Sequence, residues 1–306
     1  MCYTISEGGA SMDIRVLGYF LAVAREESIT KAAEVLHMTQ PPLSRQLKDL
    51  EEELGKQLLI RGSKKVTLTE DGMLLRKRAE ELVDLMEKTK AEISASDENI
   101  SGEVYIGGGE TDAISIIAQA AKELQDEHPF IRYHIYSGDA GHITERLDKG
   151  LIDFGLLVEP VDVTKYDYIR LPQKDTWGVL MRKDSLLAEK ETICAEDLWD
   201  KPLIVSHQTA ASSEMSAWMK RDISKLNIVA TYELIYNASH FVKKGFGYAI
   251  ALDKLVNTTG ESELCFRPLS PTLEAGLCIV WKKYQVFSRA SEQFLRKIQK
   301  IILPPE

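Results

Sequence analysis

Between Gln40 and Lys48 the chain sets Gln40, Ser44, Arg45, Gln46 and Lys48 along one side of a short amphipathic segment, with Pro41 beside them. These side chains suit nucleic acid. An arginine fork or a glutamine amide can pair with base edges, while serine and lysine hold phosphate oxygens. The opposite side, Leu43, Leu47, Leu50 and Leu54, repeats at the spacing of a buried helical stripe. Pro41 and Pro42 fall in the first turn, where a missing N–H costs little, and Thr39 precedes them as a good N-cap.

The neighbouring elements fit that reading. Ala32, Ala33 and Leu36 give the preceding helix a small apolar face that a second helix can cross closely. Thr30 and Lys31 lie near its start as candidate phosphate contacts. After Gly55, a small basic hairpin carries Arg61, Lys64 and Lys65 towards the backbone or an adjacent minor groove. For Lys31, Lys48 and Lys65, an ordinary solvated charge is an equal alternative. The pattern is a helix-turn-helix with a wing, docking its second helix in a major groove.

The stretch from Met12 to about Ile93 resembles the DNA-binding domain of LysR-type transcriptional regulators. Phe20, Ala22 and Val23, then Ser28, Ala32 and Ala33, carry the likeness in the first two helices. The run Thr39 to Leu47, the run Leu50 to Gly55, Leu58-Leu59, Arg61-Gly62 and Thr67-Leu68-Thr69 continue it in order.

A long helix is expected from Thr69 to about Asp97. Thr69 caps it, and Glu70 and Asp71 sit in the first turn, where negative charge is favoured. Leu75, Ala79, Leu82, Met86, Thr89 and Ile93 form an a/d seam. The seam reads either as a dimerisation surface or as the inner face of a helix packed on its own domain. The family resemblance implies the first, with a homodimer or a homotetramer built as a dimer of dimers.

Composition bounds the rest. The 306 residues allow two or three domains, and 44% apolar with 28% charged residues is ordinary for a globular chain. No apolar run is long enough to span a membrane. Residues 1–11 lack a signal-peptide pattern and read as an extension without a fold of their own, so a cytoplasmic protein is expected. Net charge is −9, yet residues 39–66 hold six bases against four acids, the acids all late in the second helix. Local charge governs phosphate contact, so modest binding per protomer, strengthened by oligomerisation, is expected. The four cysteines, Cys2, Cys194, Cys265 and Cys278, show no metal-ligand spacing. They read as free thiols of a reducing compartment, with a redox role for Cys265 and Cys278 the alternative. No metal and no cofactor is expected.

Residues 97–102 are polar and turn-rich and mark a boundary. Domains are therefore drawn at 12–69, 70–97 and 101–306. Beyond the boundary, short apolar runs alternate with helical patterns, the signature of parallel α/β units. Strands are expected at 104–107, 131–136, 154–158, 177–181, 203–205, 229–234, 248–252 and 277–281. Helices are expected at 113–127, 143–149, 213–226, 238–244 and 286–302. This layout resembles the family's effector-binding domain, which implies the two-lobed fold of periplasmic solute-binding proteins. Lobe I would then comprise about 101–169 and 270–306, and lobe II about 170–269, with crossovers near 169–174 and 265–269.

Ligands of such sheets bind where strand ends and helix N-termini meet. Gly107-Gly108-Gly109-Glu110-Thr111-Asp112 follows the first strand, and Thr111 and Asp112 read equally as helix caps or as ligand contacts. Glu110 and Asp112 would repel an anion unless they point outward. Ser137-Gly138-Asp139-Ala140, Ser206-His207-Gln208 and Asn237 occupy corresponding positions. The resemblance implies that these four loops face one cleft holding a small-molecule effector, although each residue alone is more often a structural cap.

The reading is thus a ligand-responsive regulator that binds double-stranded promoter DNA. A transport solute-binding protein would need a leader or anchor, and its helix-turn-helix would be idle. An enzyme would need a motif such as GxSxG, HExxH or a Walker loop, none of which occurs. A stand-alone small-molecule-binding module is the remaining alternative.

Overall fold

A computed structural model describes residues 12–62, 65–93, 100–210 and 212–303. The chain forms two compact units, divided between Ile93 and Ser94.

In the first unit, α1 (Ile14–Glu26) starts at Asp13, whose carboxylate accepts from the Arg15 N–H, and buries Val16, Leu17, Phe20 and Val23. Ser28 caps α2 (Ile29–Val35), which buries Ile29, Ala32 and Ala33. The turn to α3 (Gln40–Leu54) passes through His37 in the left-handed region at φ 53°. Leu43, Leu47 and Leu50 are fully covered, each contributing about 1.5–3 kcal/mol of burial. Leu54, expected in the same stripe, is instead exposed, because the helix ends there. Gly55 at φ 61° closes α3 in a Schellman motif, with Lys56 N–H bonded to the Glu51 carbonyl and Gly55 N–H to the Glu52 carbonyl.

Thr39 stands at the N-cap of α3 but its hydroxyl makes no capping bond. An N-cap oxygen needs the N–H of the second or third helical residue, and here both are prolines. The prolines also remove two of the donors that a helix start normally leaves unpaired.

The wing pairs β1 (Leu59–Arg61) with β2 (Val66–Leu68), Leu59 opposite Leu68. Thr69 then caps α4 (Glu70–Ile93), accepting from Gly72 N–H at 3.0 Å and donating to the Gln57 carbonyl at 2.7 Å. Gly72 is required by contact: a Cβ there would lie 2.2 Å from the Leu58 carbonyl oxygen.

The second unit contains two sheets. The first lobe orders its strands β4 (Ile131–Ser137), β3 (Gly102–Gly108), β5 (Phe154–Val158), β13 (Leu277–Lys282) and β6 (Tyr166–Arg170). Strands β3, β4 and β5 are parallel, linked by α5 (Ile114–Glu127) and α6 (Ala140–Asp148), while β13 runs antiparallel between β5 and β6. Phe154, Phe294 and Leu124 lie in its core, Phe294 coming from the C-terminal helix α10 (Arg289–Ile302).

The second lobe orders β11 (Leu264–Pro268), β7 (Asp175–Arg182), β10 (Tyr248–Leu252), β8 (Leu203–Ser206) and β9 (Ile228–Tyr232). It carries α7 (His207–Ala210), α8 (Ser213–Met219) and α9 (Ile235–Lys243). Between the lobes, β12 (Glu274–Ala275) pairs antiparallel with the start of β7, Ala275 opposite Asp175.

Several expectations are corrected. Residues 166–170 and 264–268 are edge strands of the two lobes, so the chain crosses at 171–174 and returns over 269–276. Alternation at an edge is weak: β6 buries only Tyr166 fully. The helix expected over 213–226 breaks at Lys220, which adopts φ 55°, and Asp222 caps a separate 3-10 turn. Helix α9 begins at Ile235, three residues before the expected start at 238.

Candidate functional site

In the first unit, Thr30, Lys31, Gln40, Pro41, Arg45, Gln46, Lys48, Arg61 and Lys65 are exposed, and Ser44 is half-buried. Lys64 lies outside the described residues. Three of the cations are paired: Lys48 with Glu52 at 3.1 Å, Arg61 with Glu51 at 3.7 Å and Lys65 with Glu27 at 3.2 Å. Arg45 and Lys31 make no ion pair among the described residues. Lys31 projects from the first turn of α2, its N–H accepted by the Ser28 hydroxyl at 3.3 Å. Arg45 stands on the second turn of α3, two residues from the buried anchors Leu43 and Leu47.

On α4, the six-residue seam divides by depth. Ala79 is fully buried and Leu75 packs on the core of its own unit, where α4 lies against α1. Met86 is partly covered, while Leu82, Thr89 and Ile93 remain exposed, beside Leu74 and Leu85.

In the second unit a cleft opens between the two sheets. Gly138, Asp139 and Ala140 line it from the first lobe, and Ser206, His207 and Gln208 from the second. Asp139 caps α6, its carboxylate accepting from the His142 N–H at 2.8 Å. Ser206 accepts from the Thr209 N–H at 3.0 Å and so starts α7. Gln208 reaches across, its Nε2 donating to the Val158 carbonyl at 3.2 Å.

The other candidates sit elsewhere. Thr111 is buried, donating to the Asp175 carboxylate at 2.5 Å and accepting from the Ala113 N–H at 3.1 Å. It ties the first lobe to the strand entering the second. Burial raises the Asp175 carboxyl above its ordinary value, while the Thr111 hydroxyl opposes that shift. Asp112 is exposed, 3.5 Å from Lys254, and with Ser137 it faces a separate shallow depression rather than the cleft. Asn237 is exposed on α9, outside the cleft lining. Gly107 serves packing: a Cβ there would meet Ile152 at 2.7 Å and Ile143 at 2.8 Å.

Sequence reasoning missed the cleft's walls. Trp177, Tyr232, Leu252, Leu255 and Glu110 all line it. Glu110, an acid that the sequence marks as repelling an anion unless it points outward, turns inward and accepts a hydrogen bond from the Ile235 N–H at the start of α9. Burial raises its carboxyl above the usual range, partly offset by the bonds from Ile235 and Tyr236. The one local sign of this contact is that Leu234, the N-cap of α9, has no capping side chain.

Among the described residues, no group of three or more His, Cys, Asp or Glu is placed to hold a metal ion, and no helix is long and apolar enough to cross a membrane.

Comparison with known proteins places these features. Residues 14–73 match the family model for the bacterial regulatory helix-turn-helix protein of the lysR family, and residues 97–301 match the LysR substrate binding domain. The chain is 35% identical over 165 residues to the transcriptional regulator BsdA of Bacillus subtilis, covering 54% of this chain and 56% of that one. It is 28% identical over 280 residues to the Hca operon transcriptional activator HcaR of Escherichia coli, covering 89% of this chain and 92% of that one. The crystal structure of full-length CbnR complexed with its target DNA superposes with a TM-score of 0.74 at 19% identity, covering 95% of this chain and 100% of that one. A stand-alone binding module is not supported, since the DNA-binding family model covers the same chain, and these relatives are regulators rather than enzymes. The chain belongs to the LysR family of DNA-binding transcription regulators, with a helix-turn-helix head and an effector-binding domain.

Proposed function

We propose that this regulator is cytoplasmic, reads promoter DNA with α3, and responds to a small molecule held in the interlobe cleft. Arg45 and Gln40 contact base edges in the major groove, with Pro41, Gln46 and Lys48 alongside on α3. Thr30, Lys31 and Ser44 hold phosphates, and the wing cations Arg61, Lys64 and Lys65 reach the backbone or the neighbouring minor groove. Arg61 and Lys65 would exchange a protein carboxylate for phosphate oxygens on binding.

Effector contacts come from Gly138, Asp139 and Ala140 on one wall and Ser206, His207 and Gln208 on the other. Thr111 acts behind this cleft, at the lobe junction, while Asp112 and Ser137 face the separate depression and Asn237 lies on α9 outside the lining. Binding alters how far the lobes close, which changes the packing of protomers and the spacing of the heads on DNA. Homodimers pair through the exposed part of the α4 seam, at Leu82, Met86 and Ile93, with Leu75 and Ala79 anchoring α4 to its own head. A homotetramer follows if such dimers associate through their effector domains.

The observation that carries the effector reading is the convergence of two loops from separate sheets on one cleft. The test is a metabolite screen by thermal shift on the full chain and on Ala140→Trp, which fills the cleft. A compound that stabilises only the unfilled protein and changes its footprint on DNA supports the reading. A compound that changes the footprint equally in both proteins refutes it.

A further inference from the structure

The interlobe cleft is bridged by one of its own carboxylates. Glu110 comes from the loop after β3 in the first lobe, and the Ile235 N–H that it accepts belongs to α9 of the second. The neighbouring Tyr236 backbone also holds the Glu110 carboxyl down against the upward push of burial. A helix N-terminus carries unpaired N–H donors and partial positive charge, both of which an anion satisfies. Here that anion is tethered and arrives from the opposite wall.

The other ionisable groups of the lining are Asp139, Glu233 and His207, with no lysine or arginine among the described residues, beside the apolar surface of Trp177, Tyr232 and Leu252. A free carboxylate entering the cleft would meet fixed acids and find the α9 amides already taken. A neutral or positively charged group would meet neither obstacle.

The geometry points to Glu110 as a built-in carboxylate that fills the anion position of the cleft, bridges the lobes without ligand, and restricts the effector to a neutral or cationic molecule with an apolar body. This rests on reading the cleft as the effector site. Glu110 is then a specificity-determining residue: shortening it should open the cleft to small carboxylates.

The test uses the full-length protein, Glu110→Ala and Glu110→Gln, with sodium acetate as the probe, the fragment that alanine deletes. Hydrogen exchange is followed in the peptide covering residues 230–240. The alanine variant should exchange at least about tenfold faster there, the loss of a bond to a charged acceptor. Acetate should restore protection, sodium chloride at equal ionic strength should not, and the wild-type protein should ignore both. Glu110→Gln keeps one acceptor oxygen and the side-chain shape, so its exchange should rise less and stay unresponsive to acetate. Equal exchange in all three proteins, failure of acetate to restore protection, or equal protection of the wild type by acetate would overturn the proposal. DNA binding on the same samples separates the two ideas. Restored protection without any change in DNA binding upholds the tethered carboxylate and refutes the cleft as the signalling site.

Discussion

A single oxygen of Glu51, on the last turns of α3, accepts the backbone N–H groups of Leu58 at 2.7 Å and Leu59 at 2.9 Å. The recognition helix and the base of the wing are thereby one unit, and Arg61 at the end of β1 leans on the other oxygen at 3.7 Å. Glu51→Ala should cost about 2 kcal/mol, because it strands two amides that a charged acceptor had satisfied. It should also weaken DNA binding by misplacing the wing. Chemical denaturation and a binding titration check both, and Glu51→Gln should recover most of the stability.

The α4 seam predicts two different failures less than one turn apart. Ala79 is buried against its own unit, so Ala79→Glu should destabilise the head by about 3–5 kcal/mol through an unpaired buried charge. Leu82 is 43% exposed, so Leu82→Glu should leave the head folded and lower the oligomeric state. Circular dichroism melting and light scattering distinguish the two. A dimeric, fully stable Leu82→Glu protein would remove this seam from the interface.

Behind the cleft, Asp175 is 2% exposed and burial raises its carboxyl above the ordinary value of 3.8. Asp253 and Asp112 push it further up, and Thr111 and Lys254 oppose them. The folded chain therefore holds this proton more tightly than the unfolded chain, and the buried charge is a cost at neutral pH. That cost fades as pH falls through the raised pKa, with no further gain below the ordinary value. Asp175→Asn, which keeps an acceptor for Thr111, should gain stability relative to wild type at neutral pH. The gain should shrink as melting is repeated towards pH 4.

Gly72 offers a steric check on the head. An added Cβ would strike the Leu58 carbonyl, so Gly72→Ala should cost about 1–3 kcal/mol by forcing α4 away from the wing base, although alanine is the better helix former. Thermal melting reads it directly, and an unchanged midpoint would mean the helix can shift freely.

How much of this was legible in sequence varied with the distance of the interactions. The head was readable because its signals are local: Thr69 caps where expected, and Leu43, Leu47 and Leu50 turn inward together. Even there Thr39 misled, since a good capping residue cannot act on two prolines. In the second unit, buried strands such as β5 and β8 announced themselves as apolar runs, whereas the edge strands β6 and β11 did not. The start of α9 was hidden because its cap, Glu110, lies 125 residues away. Thr111 could be recognised as a polar residue at a helix start, but its partner Asp175 belongs to the other side of a chain crossing. The redox alternative for Cys265 and Cys278 also needed three dimensions. They lie on β11 and β13, in sheets of different lobes, and burial pushes both thiols up, Cys278 to about 11. Buried thiols of that kind are poor nucleophiles.

The most direct measurement is DNA binding by the purified full-length protein to its own upstream region, comparing wild type with Arg45→Ala and Lys31→Ala over a range of salt. Arg45→Ala should lose about 1–3 kcal/mol and most of its preference for specific over random DNA. Lys31→Ala should weaken all sequences alike and reduce the salt slope by about 1. Selective binding that survives Arg45→Ala with its sequence preference intact would contradict the assignment of base reading to this face of α3.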